Sequence, residues 1–321
     1  MTILYSGYRD NRHSQFGGYD YIAQKPLSDY LNAAYLPFGK IPVGKPGKRL
    51  NLYVLDFTTR LYKNKYDIIH LFYGDFMLFH NIPKRRKAQF ITTIHMRAED
   101  LSLKTLSILK SYDAVVVLSS AQERFLRDNG INAYFIPHGF NVPVFKKKDY
   151  AEIDCTKINV FYSGNNYRDF TTFVTVIQSM EHERSDVHFY AVGQTFERKE
   201  ILLKHHNVTV CSYLDDDAYY SLLSDCDYNF LPLTFATANN TLLEAQNIGV
   251  VSVLPEIDGI SDYADSENNL YYENVNDAVE LFKDIAKPSI VKNEWLIHFA
   301  EKFAWKNVYG QLEGLYTELL K

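Results

Sequence analysis

Cysteine is scarce in this 321-residue chain, limited to Cys155, Cys211 and Cys226. The number is odd and the spacing is not that of metal ligands, which argues against a disulfide framework or a zinc site and for reduced thiols in a cytosol. No apolar run approaches the roughly 20 residues needed to cross a bilayer. The opening MTILYSGYRD starts a strand at once and shows neither the basic region nor the apolar core of a secretory signal. The Gly-x-Gly-x-x-Gly fingerprint of dinucleotide sites is missing, and no recognised nucleic-acid-binding motif accompanies the basic segments, so nucleic acid is not expected as a partner.

The 46% hydrophobic fraction is that of a globular protein, and the length suits two domains of ordinary size. The net charge of −5 is unevenly spread. Met1–Val142 carries 19 Lys and Arg against 11 Asp and Glu, and the remainder 15 against 28. A basic first half and an acidic second half suggest domains with different partners. PKRRK (Pro83–Lys87) and GKIPVGKPGKR (Gly39–Arg49) suit anionic headgroups or an anionic acceptor, or are solvated rims.

Short apolar runs alternate with helix-like segments. TILYSGY, DIIHLF, FITTIH, DAVVVLS and AYFIP read as strands in the first half; INVFYSG, VHFYAVG, VTVCSY, DYNFLPL and VVSVL in the second. Strands rich in Val, Ile, Phe and Tyr joined by helices predict parallel sheets covered on both faces. The pattern restarts after the polar stretch Phe140–Lys157, with a linker near Val142–Thr156. The fold class expected is therefore α/β, two doubly wound Rossmann-like domains facing across a cleft, with ligands beyond the carboxyl ends of the strands.

Candidate residues are those that follow strands. Gly17 and Gly18 precede a helical run from about Tyr19, and allow either close approach of a ligand to backbone or simply a tight turn. His95 ends FITTIH at its carboxyl edge; His138 in IPHGF suits a hinge or turn. In FYSGNNYRDF, Gly164 permits close backbone approach, and Arg168 offers a planar fork for a diphosphate or an ordinary salt bridge at a helix start. Asp169 would cap that helix or orient Arg168. Asp215–Asp217 read as an N-cap with acidic first-turn residues rather than a metal site, because consecutive helical residues diverge. In ANNTLLEAQNIG, Asn239, Asn240 and Thr241 are capping residues, and their helix end could hold a phosphate. Glu244, one turn on, could accept hydrogen bonds from a diol such as ribose, or face water on a capped surface helix.

In order and spacing these segments resemble the GT-B glycosyltransferases of the family 4 type, retaining enzymes that use nucleotide-sugar donors. The resemblance runs through the Gly17-Gly18 loop, YDIIHLF, TTIH, YDAVVVLSSAQERFLRDNGINAYFIPHGFN, FYSGNNYRDF, VHFYAVG, LLSDCDYNFLPL and NTLLEAQNIGVVSVLPEIDGISDY. FAWKNVYGQLEGLYTELL (Phe303–Leu320) is similar to the family's last helix, which crosses back onto the first domain. The implied domains are an acceptor-side domain over 1–142, a donor domain over 143–302, and the returning helix over 303–321.

By position, the resemblance makes Glu244 the ligand of the donor ribose, with Asn240 and Thr241 at the diphosphate. Arg168 falls on that diphosphate and in the catalytic set, backbone at Tyr213 and Leu214 holds the base, His95 contacts the transferred sugar, and Gly17-Gly18 form the loop facing donor and acceptor. Gly164 and Asn165 line the donor turn. No metal or other cofactor is implied, since the nucleoside diphosphate sugar is a co-substrate. Three positions depart from the family: Ala236 stands where a first glutamate is usual, Asn165 where an arginine is common, and Met96 where an acidic or polar residue follows the histidine. The second cationic phosphate contact is thus missing or supplied elsewhere.

The function implied is a retaining, metal-independent hexosyltransferase moving sugar from a nucleoside diphosphate sugar to a hydroxyl of a glycan or lipid-linked acceptor. That activity belongs to polysaccharide biosynthesis in the cytoplasm or peripherally at an anionic inner membrane face. The alternative is a non-catalytic GT-B protein, a nucleotide-sugar sensor or a partner subunit of an active transferase. A nucleotide-sugar epimerase or hydrolase on the same architecture is a further rival.

Overall fold

The computed structural model describes residues 1–7, 18–24, 28–32, 45–77, 82–148, 153–212, 214–288 and 292–321. It divides into two compact units, Met1–Asn141 with Phe303–Lys321, and Val142–Lys302. Gly17, Tyr213 and residues 39–44 of the Gly39–Arg49 segment lie outside the described residues.

In the first unit, the described strands are β1 (Ile3–Gly7), β2 (Ser28–Asn32), β3 (Ile68–Leu71), β4 (Gln89–Ile94), β5 (Ala114–Val117) and β6 (Ala133–Phe135). They form one parallel sheet in the order β2-β1-β3-β4-β5-β6. Its helices are α1 (Lys45–Leu61), α2 (Gly74–Met77), α3 (Leu103–Leu109) and α4 (Ser120–Asp128). Every residue of β3 and β5 is buried, as expected of strands covered on both faces. Three local expectations change. The run from Tyr19 is a 3₁₀ turn, Tyr19–Gln24, rather than an α-helix. The Gly/Pro/Lys-rich stretch is helical from Lys45 onward. In PKRRK, Arg86 is no solvated rim residue. Its Nη2 donates to both Asp113 oxygens at 2.7 Å, and its other donors reach the carbonyls of Pro83 and Ala88.

The second unit opens with β7 (Ile158–Ser163), followed by α5 (Phe170–Glu183), β8 (Val187–Val192), α6 (Phe196–Leu202), β9 (Val208–Cys211) and α7 (Asp216–Asp225). Next come β10 (Tyr228–Phe230), α8 (Asn240–Ile248), β11 (Val251–Pro255), β12 (Leu270–Tyr272), α9 (Val275–Asp284) and α10 (Glu294–Ala300). The sheet is parallel in the order β12-β11-β10-β7-β8-β9. Read from β9, this is the 3-2-1-4-5-6 order of nucleotide-binding sheets, whose topological switch point lies between β7 and β10. Loops leaving those two strands therefore diverge to opposite sides and open a crevice at their carboxyl ends.

The last helix, α11 (Trp305–Leu319), belongs to the first unit. Phe140 N–H donates to Phe303 O at 2.8 Å, and Phe140 bridges Ala304. Farther along α11, the Tyr316 hydroxyl lies 2.6 Å from Nδ1 of His70, whose Nε2 lies 2.8 Å from the Thr93 hydroxyl. Burial pushes the His70 pKa down to about 3, so the imidazole is a neutral structural bridge. The Trp305 ring is buried among Tyr19, Tyr21 and His138. A Cβ on Gly139 would come within 2.3 Å of that ring, which accounts for the glycine in IPHGF. Trp305→Ala is expected to lower stability by about 3–5 kcal/mol in urea unfolding, from lost burial and a cavity. Trp305→Phe should keep most of that stability, because the buried indole N–H has no acceptor to lose among the described residues.

Candidate functional site

The crevice end of the second sheet collects most of the expected donor residues that fall in this unit. β7 ends at Ser163, and Gly164 turns the chain at φ 83°, a region open to glycine. Arg168 lies before α5 rather than within it. Asp169 is the N-cap, its Oδ1 accepting from Thr172 N–H and its Oδ2 from the Thr172 hydroxyl, so it does not orient Arg168. Arg168 instead folds back over the turn it follows. Its Nε donates to Ser163 O at 2.7 Å, and Nη2 reaches the Thr241 hydroxyl at 3.4 Å. A Cβ on Gly164 would sit 3.1 Å from Nη2, so the guanidinium packs directly on the turn.

After β10, the chain runs through Leu231–Ala238 to α8, whose N-cap is Asn239; its side chain accepts from Leu242 N–H at 3.2 Å. Gly249, in the left-handed region, ends the helix. The backbone amides of Asn240 and Thr241 find no acceptor among the described residues. Two open first-turn amides beside a guanidinium form an anion-favouring corner.

Glu244 does not face water; it is 6% exposed. Its Oε2 accepts from the Tyr219 hydroxyl at 2.7 Å and its Oε1 from the Tyr220 hydroxyl at 3.4 Å. The Ser163 hydroxyl lies 3.2 Å from both the Tyr219 and the Thr241 hydroxyls. One polar chain therefore joins Arg168, Thr241, Ser163, Tyr219 and Glu244. Burial raises the Glu244 pKa to about 7, while the two tyrosine bonds and Arg168 oppose the rise. A carboxylate has about four acceptor positions, so two hydrogen bonds leave capacity for a further pair of donors.

The other candidates fall as follows. Asn165 Nδ2 donates to Gly193 O at 2.7 Å, and its Oδ1 accepts from Thr195 N–H at 3.3 Å, pinning the β7 turn to the loop after β8. Leu214 is half-buried just before Asp215, the N-cap of α7, whose Oδ1 accepts from Ala218 N–H at 2.8 Å. Ala236 is buried in the loop before α8.

In the first unit, Gly18 accepts from Tyr21 N–H at 3.0 Å and starts the 3₁₀ turn. His95 follows β4 as expected; its Nε2 donates to Phe72 O at 2.7 Å, and its ring stacks on Tyr73 with centroids 4.7 Å apart. His138 is buried, its Nδ1 donating to Gly139 O at 2.7 Å. Sequence reasoning missed Asp75, which follows β3 and accepts from His95 N–H at 2.9 Å. Burial raises its pKa to about 7, and Oδ2 has no hydrogen-bond partner among the described residues. Its signal was a lone acid just past a strand end. Tyr219 and Tyr220 were missed as Glu244 partners, because that contact spans 25 residues in one case and 24 in the other.

Residues 157–287 match the family model described as glycosyl transferases group 1. No curated protein matches the chain in sequence. Among solved structures, HepE from Anabaena in complex with UDP superposes with a TM-score of 0.73 at 13% identity, covering 99% of this chain and 100% of that one. The lipopolysaccharide outer core galactosyltransferase WaaB gives 0.70 at 13% identity, with 99% and 100% covered. Sucrose-phosphate synthase from Thermosynechococcus elongatus gives 0.68 at 18% identity, with 99% and 88% covered. The chain therefore has the GT-B fold, and residues 157–287 within its second unit are similar to the group 1 glycosyltransferases.

Proposed function

We propose that this protein is a retaining, metal-independent hexosyltransferase that uses a UDP-sugar and delivers the sugar to a hydroxyl of a glycan or lipid-linked acceptor. The observation that carries the donor assignment is the hydrogen-bonded chain from half-buried Arg168 through Thr241, Ser163 and Tyr219 to buried Glu244, lying beside the open amides of α8. It offers positive charge and amides to a diphosphate and a carboxylate to a vicinal diol, separated by one helical turn. Uridine is favoured as the base by the UDP complexes among the similar structures.

The chemistry asked of the site is stabilisation of a departing diphosphate beside an oxocarbenium-like sugar, which fixed positive charge and amides provide without reorganisation. The bond from the anomeric carbon to the β-phosphate oxygen breaks as the acceptor oxygen bonds to the same face. The acceptor proton passes to the departing phosphate oxygen, so no enzymatic nucleophile is required. Arg168 and the Asn240 and Thr241 amides take the growing charge. His95 is assigned a contact to the sugar from its position after β4, and backbone at Leu214 a contact to the base. Of the residues given to an anionic acceptor or membrane surface, Arg86 and Lys87 already pair with Asp113 and Asp67, so PKRRK offers less free charge than its composition suggests.

The second reading, a nucleotide-sugar sensor or partner subunit, is favoured by Ala236, which puts no carboxylate at the position where the family has its first glutamate. Calorimetry with UDP, GDP, dTDP and ADP, followed by turnover of the matching sugar with added glycan acceptors, separates the two. UDP binding with acceptor-dependent release of UDP is expected. Tight UDP binding with no turnover under any acceptor would point to the sensor, and fast UDP-sugar consumption without acceptor to a hydrolase.

A further inference from the structure

A second guanidinium converges on the turn that Arg168 covers. Arg198, in the first turn of α6, donates from Nη1 to Asn165 Oδ1 at 3.4 Å, and its guanidinium carbon stands 4.7 Å from the Phe170 ring centroid. Asn165 is itself fixed by Gly193 O and Thr195 N–H. It directly follows Gly164, on which Arg168 packs. The two arginines thus flank the two-residue turn Gly164-Asn165. They sense each other: burial foremost, and the charge of Arg198 in addition, lower the Arg168 pKa.

Neither arginine makes an ion pair with a carboxylate among the described residues. Elsewhere in the same unit cations are matched, as in Arg184 with Asp186, Lys148 with Asp215 and Lys283 with Glu183. Two like charges held together, both half-buried, raise the energy of the empty site; an anion between them reverses the sign of that interaction. Asn165 adds no charge of its own, but its amide aims Arg198 at the turn.

We propose that Arg198 is the second cationic ligand of the donor diphosphate, reaching the β7 turn from α6 and oriented by Asn165. This rests on the donor assignment above. Arg168 and Arg198 would each take one phosphoryl group, so the contact should be felt by a diphosphate much more than by a monophosphate.

The test is calorimetry with UDP, UMP and uridine on wild type, Arg198→Met and Asn165→Ala. Methionine keeps an apolar stem on Phe170 while removing the charge, and thermal unfolding reports whether the fold is intact. Expected is a ten- to hundredfold loss of UDP affinity in Arg198→Met, a smaller loss for UMP, and an intermediate loss for UDP in Asn165→Ala. Equal UDP affinity in wild type and Arg198→Met overturns the proposal while leaving the donor assignment standing. An equal loss for uridine and UDP also overturns it, because the effect would then be structural. A wild type that binds no nucleoside diphosphate overturns both.

Discussion

Arg168→Met is expected to lower kcat by about 10²- to 10³-fold with the UDP-sugar, the range seen when one preorganised donor to a developing negative charge is removed. The physical case rests on where the charge is held. Nε is occupied by Ser163 O at 2.7 Å, which fixes the guanidinium plane, and Nη2 is directed to the Thr241 hydroxyl beside the open amides of α8. Burial lowers the pKa, yet an arginine starts so high that it stays charged at neutral pH. A fixed, partly desolvated charge acts more strongly on a leaving diphosphate than on a neutral sugar, so kcat should suffer more than the donor KM. Arg168→Lys, a point charge without the fork, should recover part of the loss. Unchanged kcat in Arg168→Met would remove Arg168 from the machinery, whatever happens to binding.

The strands were legible because parallel strands covered on both faces leave near-continuous apolar runs, as in INVFYS and AVVV, both wholly buried. Two described strands escaped notice. β2, SDYLN, and β12, LYY, are edge strands in their sheets, and an edge strand need not be apolar throughout. The caps of α7 and α8 could be read at Asp215 and Asn239, since a capping side chain bonds within three residues of itself. The surroundings of Glu244 could not be read, because Tyr219 and Tyr220 reach it, and Ser163 reaches Tyr219, only once β7, α7 and α8 have packed together. Arg198 was invisible for the same reason, lying 33 residues from the asparagine it contacts. Arg86 was misread because a run of like charge says nothing about a carboxylate 27 residues away.

UDP binding is expected to weaken as pH falls from 8 to 6, and Glu244→Gln to bind UDP weakly and without that dependence. Only the ionised carboxylate accepts hydrogen bonds from two ribose hydroxyls while Tyr219 and Tyr220 also donate to it. With a pKa raised to about 7 by burial, each unit of pH below that value should cost up to about tenfold in affinity. Stability should move the opposite way. Since the folded pKa lies above the ordinary 4.5, the folded protein holds this proton more tightly than the unfolded chain. The contribution is fully present below about pH 4.5 and is lost as pH rises through about 7, a difference on the order of 3 kcal/mol. Glu244→Gln, which mimics the protonated form, should therefore unfold at higher temperature than wild type at pH 8 while binding UDP about ten- to a hundredfold less well. A residue kept for packing alone would show the stability trend without the binding trend. An exposed, ordinary glutamate would show neither. Opposed signs in the two measurements are what a buried carboxylate held ready for a diol requires, because the ionised form is the one that ligand binding selects and folding resists.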